Sequence, residues 1–162
     1  SDGTTYMTGT NDAAYIPGYV EDYLERHVPG AEEIFSPCAV GLAVCYGGYY
    51  TTGHDLPTLK AQFRDALAAR PDLDFLAEFH KGRGASIHRH FCHYVMCAFL
   101  CEEVLEKHGF SAALKLVQSG EDGQRFFANL KAILGVDDAN FHAKVLELIS
   151  APGTVGLPAS DK

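Results

Sequence analysis

The stretch Ser36-Pro-Cys-Ala-Val-Gly-Leu-Ala-Val-Cys-Tyr-Gly-Gly-Tyr49 decides how the rest of the chain is read. Ser36 followed by Pro37 is a helix start, because a serine side chain can cap free backbone N–H groups and proline at the first helical position loses no hydrogen bond. Gly47-Gly48 ends the helix so begun. Between them lies a wholly apolar run of small residues, so the segment is a short buried helix able to pack closely against a neighbour.

The same punctuation continues along the chain. Asp55 and Pro57 start a helix running through Ala69, which Arg70-Pro71 breaks. Leu73 to Phe79 reads as a short helix, and a long one extends from about Ala85 to His108, with Gly109 as its left-handed cap. Ser111 opens the next helix. Asp122 to Leu134 closes at Gly135, and Asp137 caps a last helix ending near Ile149. Toward the start, Thr4 to Thr10 is β-prone and reads as one short edge strand, and residues 11–27 are helical with a restart at Pro17. The expected fold is mainly α: one compact helical domain over residues 1–150 with at most a short residual β-strand region, followed by a flexible tail at 151–162.

Composition bounds the function. With 162 residues, 47% of them hydrophobic and 21% charged, the chain is one soluble domain's worth. No apolar run approaches the roughly 20 residues that cross a bilayer, and no signal-like segment opens the chain, so no membrane partner and a cytoplasmic location are expected. The net charge is −8: residues 1–80 carry 12 acids against 4 Lys or Arg, while 81–162 carry 9 of each. Such a surface repels phosphate backbones, so nucleic acid is not an expected partner. The five cysteines, Cys38, Cys45, Cys92, Cys97 and Cys101, fall in apolar helical sequence and read as reduced, buried thiols.

Several motifs share their order with one family. Tyr46-Gly-Gly48 leaves the first quoted helix, Leu56-Pro-Thr-Leu59 starts the next, and Tyr94-Val-Met-Cys-Ala-Phe-Leu-Cys-Glu-Glu-Val-Leu-Glu-Lys-His-Gly109 forms the long one. Ala113 to Gly120, Phe126 to Gly135 and a terminal helix come after it. This succession over residues 13–149 resembles the gluzincin (peptidase MA-like) metallopeptidases, in which a Glu-Gly-Leu-Ala helix supplies the third zinc ligand. Here Val40 stands at that glutamate's position. The resemblance implies a His-Glu-x-x-His helix as well, since histidines one turn apart share a face and the glutamate polarises metal-bound water. The corresponding segment, Pro17-Gly-Tyr-Val-Glu-Asp-Tyr-Leu24, carries no such triad in any register; Tyr19 and Tyr23 occupy the histidine positions in one of them.

The resemblance therefore implies a metal-free, non-proteolytic descendant, with no cofactor, whose former active-site cleft binds a small polar or anionic molecule. Tyr19, Tyr23 and Tyr94 are the candidate orienting hydroxyls, Tyr94 at the family's transition-state-stabilising position. Val40 is an apolar wall, and His90, one turn from Tyr94, is the candidate proton carrier for a non-hydrolytic biosynthetic step. Packing of the same tyrosines as core is the alternative. So is a pseudopeptidase, a non-enzymatic module that presents its surface to a protein partner.

The segment His80-Lys-Gly-Arg-Gly-Ala-Ser-Ile-His-Arg-His-Phe-Cys-His93 concentrates basic and metal-capable groups. Its glycine-rich entry to a helix can hold an anion with help from Lys81, Arg83 or Arg89. Histidine and cysteine pairs spaced by four, His88 with Cys92 and His93 with Cys97, are metal-ligand spacings. At 100° per residue, however, Cys92 lies roughly opposite Cys97 and Cys101, so the pairs do not converge. A His/Cys metal-binding protein is accordingly the third reading. His54-Asp55 reads as loop plus helix cap rather than a catalytic dyad.

Overall fold

The computed structural model describes residues 37–49, 52–82, 87–119 and 123–151, with the side chains at 37, 82 and 87–90 left outside that description. The expected strand at 4–10, the helical region at 11–27 and the tail from 152 onward lie outside the described residues. Within them the protein is mainly α, with seven helices and no strand. These are α1 (Pro37–Gly47), α2 (Leu56–Ala69), α3 (Phe75–Gly82), α4 (Ile87–His108), α5 (Phe110–Val117), α6 (Gly123–Leu134) and α7 (Phe141–Ser150).

Cap chemistry sets most of these boundaries. Gly48, at φ 76°, turns the chain out of α1, and a side chain there would stand 2.9 Å from the Gly53 carbonyl. The Asp55 carboxylate accepts from the Thr58 backbone N–H at 2.9 Å, starting α2 with Pro57 in its first turn. Asp74 does the same for α3, accepting from Leu76 and Ala77, while Phe75 N–H donates to His142 Nδ1 at 3.0 Å. That nitrogen must therefore be an unprotonated acceptor, so the 3.7 Å approach of Asp74 to the same atom is not an ion pair.

Three described starts differ from the sequence expectation, the first being α3, which runs from Phe75 to Gly82 rather than from Leu73 to Phe79. Gly109 both ends α4 and caps α5, so α5 begins at Phe110 rather than at Ser111. Asp137 does not cap the last helix directly. Its carboxylate accepts from the Ala139 N–H, the Asn140 side-chain oxygen accepts from the Asp137 N–H, and α7 begins only after this closed turn, at Phe141.

The architecture is organised by α4, which contacts every other described helix. Its residues 95–101 are all 0% exposed, so nearly two turns are enclosed on all sides. Phe99 meets Phe63 of α2 edge-on at 5.1 Å, and Phe79 of α3 stacks near Phe126 of α6 at 5.4 Å, so one aromatic core joins the helices. Polar ties close the periphery. Arg64 of α2 donates to the Ile149 carbonyl at the end of α7, satisfying an orphan helix-end acceptor. Glu103 of α4 takes Lys107 at 2.5 Å and Lys144 of α7 at 2.7 Å. Burial pushes the Glu103 carboxyl up, but the two lysines together outweigh it and hold it below the usual range.

Candidate functional site

The contact between α1 and α4 is built from small residues. A Cβ placed on Gly41 would lie 2.7 Å from both the Ala98 nitrogen and the Cys97 carbonyl carbon, so glycine is what allows the two backbones to meet. Around this crossing the thiols act as short packing groups. Cys38 Sγ lies 3.7 Å from Cys97 Sγ, Cys101 Sγ lies 3.8 Å from the Cys38 carbonyl, and Cys45 donates to the Ala98 carbonyl at 3.3 Å. All five cysteines are free, and all but Cys92 are buried, as the helical placement implied.

Their environment suits packing rather than reactivity. Burial, with the Cys101 and Glu102 charges, raises the Cys45 thiol well above its usual range; contact with Cys38 and burial do the same for Cys101. Thiols held protonated in this way are poor nucleophiles and poor metal ligands. No group of three His, Cys, Asp or Glu residues able to hold a metal occurs among the described residues. Cys92 faces away from Cys97 and Cys101, toward α2 and α3, as the helical wheel requires.

Of Tyr19, Tyr23, Val40, Arg83, Arg89, His90 and Tyr94, two have described side chains. Val40 on α1 is 1% exposed and Tyr94 on α4 is 3% exposed, and both belong to the core. The Tyr94 ring stands edge-on to His93 at 6.3 Å. Tyr19, Tyr23 and Arg83 lie outside the described residues. Arg89 and His90 are placed only as backbone, within the first turn of α4.

The neighbouring His93 is a structural group. Its ring stacks on Phe79 at 4.1 Å, and its Nδ1 lies 2.8 Å from the Phe79 carbonyl. A carbonyl only accepts, so Nδ1 carries the proton and serves an acceptor left open near the end of α3. His54 is likewise engaged, with Gln62 at 3.0 Å, while Asp55 caps α2.

Sequence reading missed a buried ion pair. Lys60 Nζ of α2 lies 2.5 Å from Glu102 Oε2 of α4, with side chains only 3% and 4% exposed. Glu102 Oε1 has no hydrogen-bond partner among the described residues. One signal was present: Leu56, Leu59, Lys60 and Phe63 are the buried face of α2, so the lysine interrupts an i, i+3, i+4, i+7 stripe and demands a partner. Also missed was a pocket of about 200 Å³ between α2, α3 and α4. A wider, shallower cleft is lined by Asp72, Asp74, Asp138 and His142 where the α2–α3 and α6–α7 turns meet.

Comparison of the chain with family models, with curated proteins and with solved structures returned no match to any of them.

Proposed function

We propose that the protein is a metal-free, non-proteolytic descendant of the gluzincin fold whose former active-site cleft binds a small polar or anionic molecule. The observation that supports this reading most is the state of Val40. At the position of the family's ligating glutamate the side chain is an aliphatic group, 1% exposed, on a helix locked to α4 one residue later by Gly41. Valine offers no lone pair to a cation, and a helix so closely docked cannot roll another side chain into its place. Tyr19, Tyr23 and Tyr94 then orient the ligand, and His90 moves a proton in a non-hydrolytic biosynthetic step.

The protein-docking alternative has less in its favour. Among the described residues Phe110 is the one large apolar side chain that is exposed, at 44%, and a lone exposed apolar residue is ordinary for a protein surface. The two readings separate on Tyr94→Phe, which removes one hydroxyl and keeps the ring volume. In the cleft reading this variant folds normally yet weakens binding or turnover of the cognate ligand by roughly tenfold, the value of one hydrogen bond. A screen of polar and anionic metabolites by thermal shift, run on both proteins, checks it. Hits of equal strength on wild type and Tyr94→Phe contradict a role for the phenol.

A further inference from the structure

The pocket between α2, α3 and α4 is unlike the rest of the core. Its walls are the rings of Phe63, Phe75 and Phe91 with Leu73 and Met96, and its volume is about 200 Å³. Phe63 stacks with Phe75 at 5.8 Å and meets Phe91 at 6.4 Å, so three rings converge on one space. The pocket opens to solvent past Gln62, Ala66 and Arg70, all exposed, and Phe63, Phe75 and Met96 form its almost fully enclosed floor. An apolar cavity of about 150 Å³ is large enough to take benzene. This one therefore fits a single ring, or a branched chain of similar size, with a short polar extension.

The polar groups that line the pocket say what the extension is. Glu78 is already paired with Lys81 at 2.6 Å, and the Gln62 amide nitrogen is engaged with His54 at 3.0 Å. Arg70 spends its backbone N–H on the Ala66 carbonyl, and its guanidinium has no ion pair or hydrogen bond among the described residues. The carbonyl end of α2 disfavours an anion nearby, but by the equivalent of about half a charge against the full charge of the guanidinium. An arginine fork beside an apolar cavity matches a carboxylate in both charge and shape.

We propose that this pocket is a binding site for a small carboxylate bearing one aromatic ring or a branched aliphatic chain, the apolar part held among the three phenylalanines and the carboxylate on Arg70. Neither Val40 nor Tyr94 lines it. Phe91, Cys92 and Met96 occupy the face of α4 turned away from the Cys97, Ala98 and Cys101 contact with α1. The proposal therefore stands or falls independently of the role given to Tyr94.

Methionine-methyl NMR tests it directly, because the chain has two methionines, Met7 and Met96, and Met96 lines the pocket. Titration of phenylacetate into [13C-methyl]methionine-labelled protein should move the Met96 signal saturably under the ring current of the bound probe. Arg70→Gln should weaken that binding at least about tenfold, the usual scale for a charged hydrogen bond, and phenethylamine should bind more weakly than phenylacetate by a similar factor. Ala66→Phe, a substitution at an exposed position that lines the pocket, should abolish the shift without unfolding the protein. Tyr94→Phe should leave it unchanged. A Met96 signal that does not respond to phenylacetate overturns the proposal, as does equal binding by phenethylamine or by the Arg70→Gln variant.

Discussion

Lys60→Met is expected to destabilise the protein by about 3–5 kcal/mol, lowering its thermal midpoint by on the order of 10 °C. The lysine is 2.5 Å from Glu102 in a site where both side chains are almost completely enclosed. Two charges brought out of water do little better than break even while they stay together, since mutual attraction only offsets their desolvation. Removing one is different. Glu102 would be left as a buried carboxylate, with Oε2 newly unpartnered beside an Oε1 that has no partner among the described residues. The double variant Lys60→Met with Glu102→Leu removes both charges, and should recover most of the loss or exceed wild type, because apolar replacements of similar size suit a buried position. Urea denaturation of the three proteins measures this as a cycle. A cost below about 1 kcal/mol for the single variant would match an exposed pair and would contradict the enclosed geometry.

Gly41→Ala is expected to destabilise by about 2 kcal/mol, although alanine is ordinarily the better helix residue by about 1 kcal/mol. The sign turns on what the new methyl meets. Its nearest neighbours are backbone atoms of Cys97 and Ala98 at 2.7 Å, which cannot rotate aside as a side-chain tip would. Relief requires α1 and α4 to move apart, and with them the Cys38–Cys97 contact and the bond from Cys45 to the Ala98 carbonyl. Adding Ala98→Gly should give no rescue, because the clash is not with the Ala98 methyl. If Gly41→Ala instead raised stability by about 1 kcal/mol, helix propensity alone would be acting and the close crossing would be wrong.

The helices were largely legible because their ends carry local chemistry. Pro37, the Asp55 carboxylate and the left-handed glycines at 109 and 135 act within a few residues of themselves, and each marks a boundary where the sequence placed one. The start of α7 differs from expectation for an equally local reason: Asp137 and Asn140 are both good capping residues, and the bonds they exchange, Asp137 N–H to the Asn140 side chain and Asn140 N–H to the Asp137 carbonyl, close a turn before the helix begins. The thiols are packing groups as the sequence implied, since small apolar residues on a helix already enclosed have few other uses. The Lys60–Glu102 pair and the Arg70 pocket were not legible in the same way. They are created when packing of the successive helices α2, α3 and α4 brings together residues distant in sequence, such as Lys60 and Glu102, and only the lysine inside an apolar stripe betrayed one of them. For the candidate cleft, the structure places Val40 and Tyr94 in the core, while Tyr19, Tyr23 and the side chain of His90 fall outside the described residues.

The central claim is that valine at position 40 belongs to a protein that works without a metal. Elemental analysis of protein purified without chelator, then dialysed against buffered zinc, tests it most directly. The account predicts no stoichiometric zinc after dialysis; one tightly held zinc per chain would contradict it.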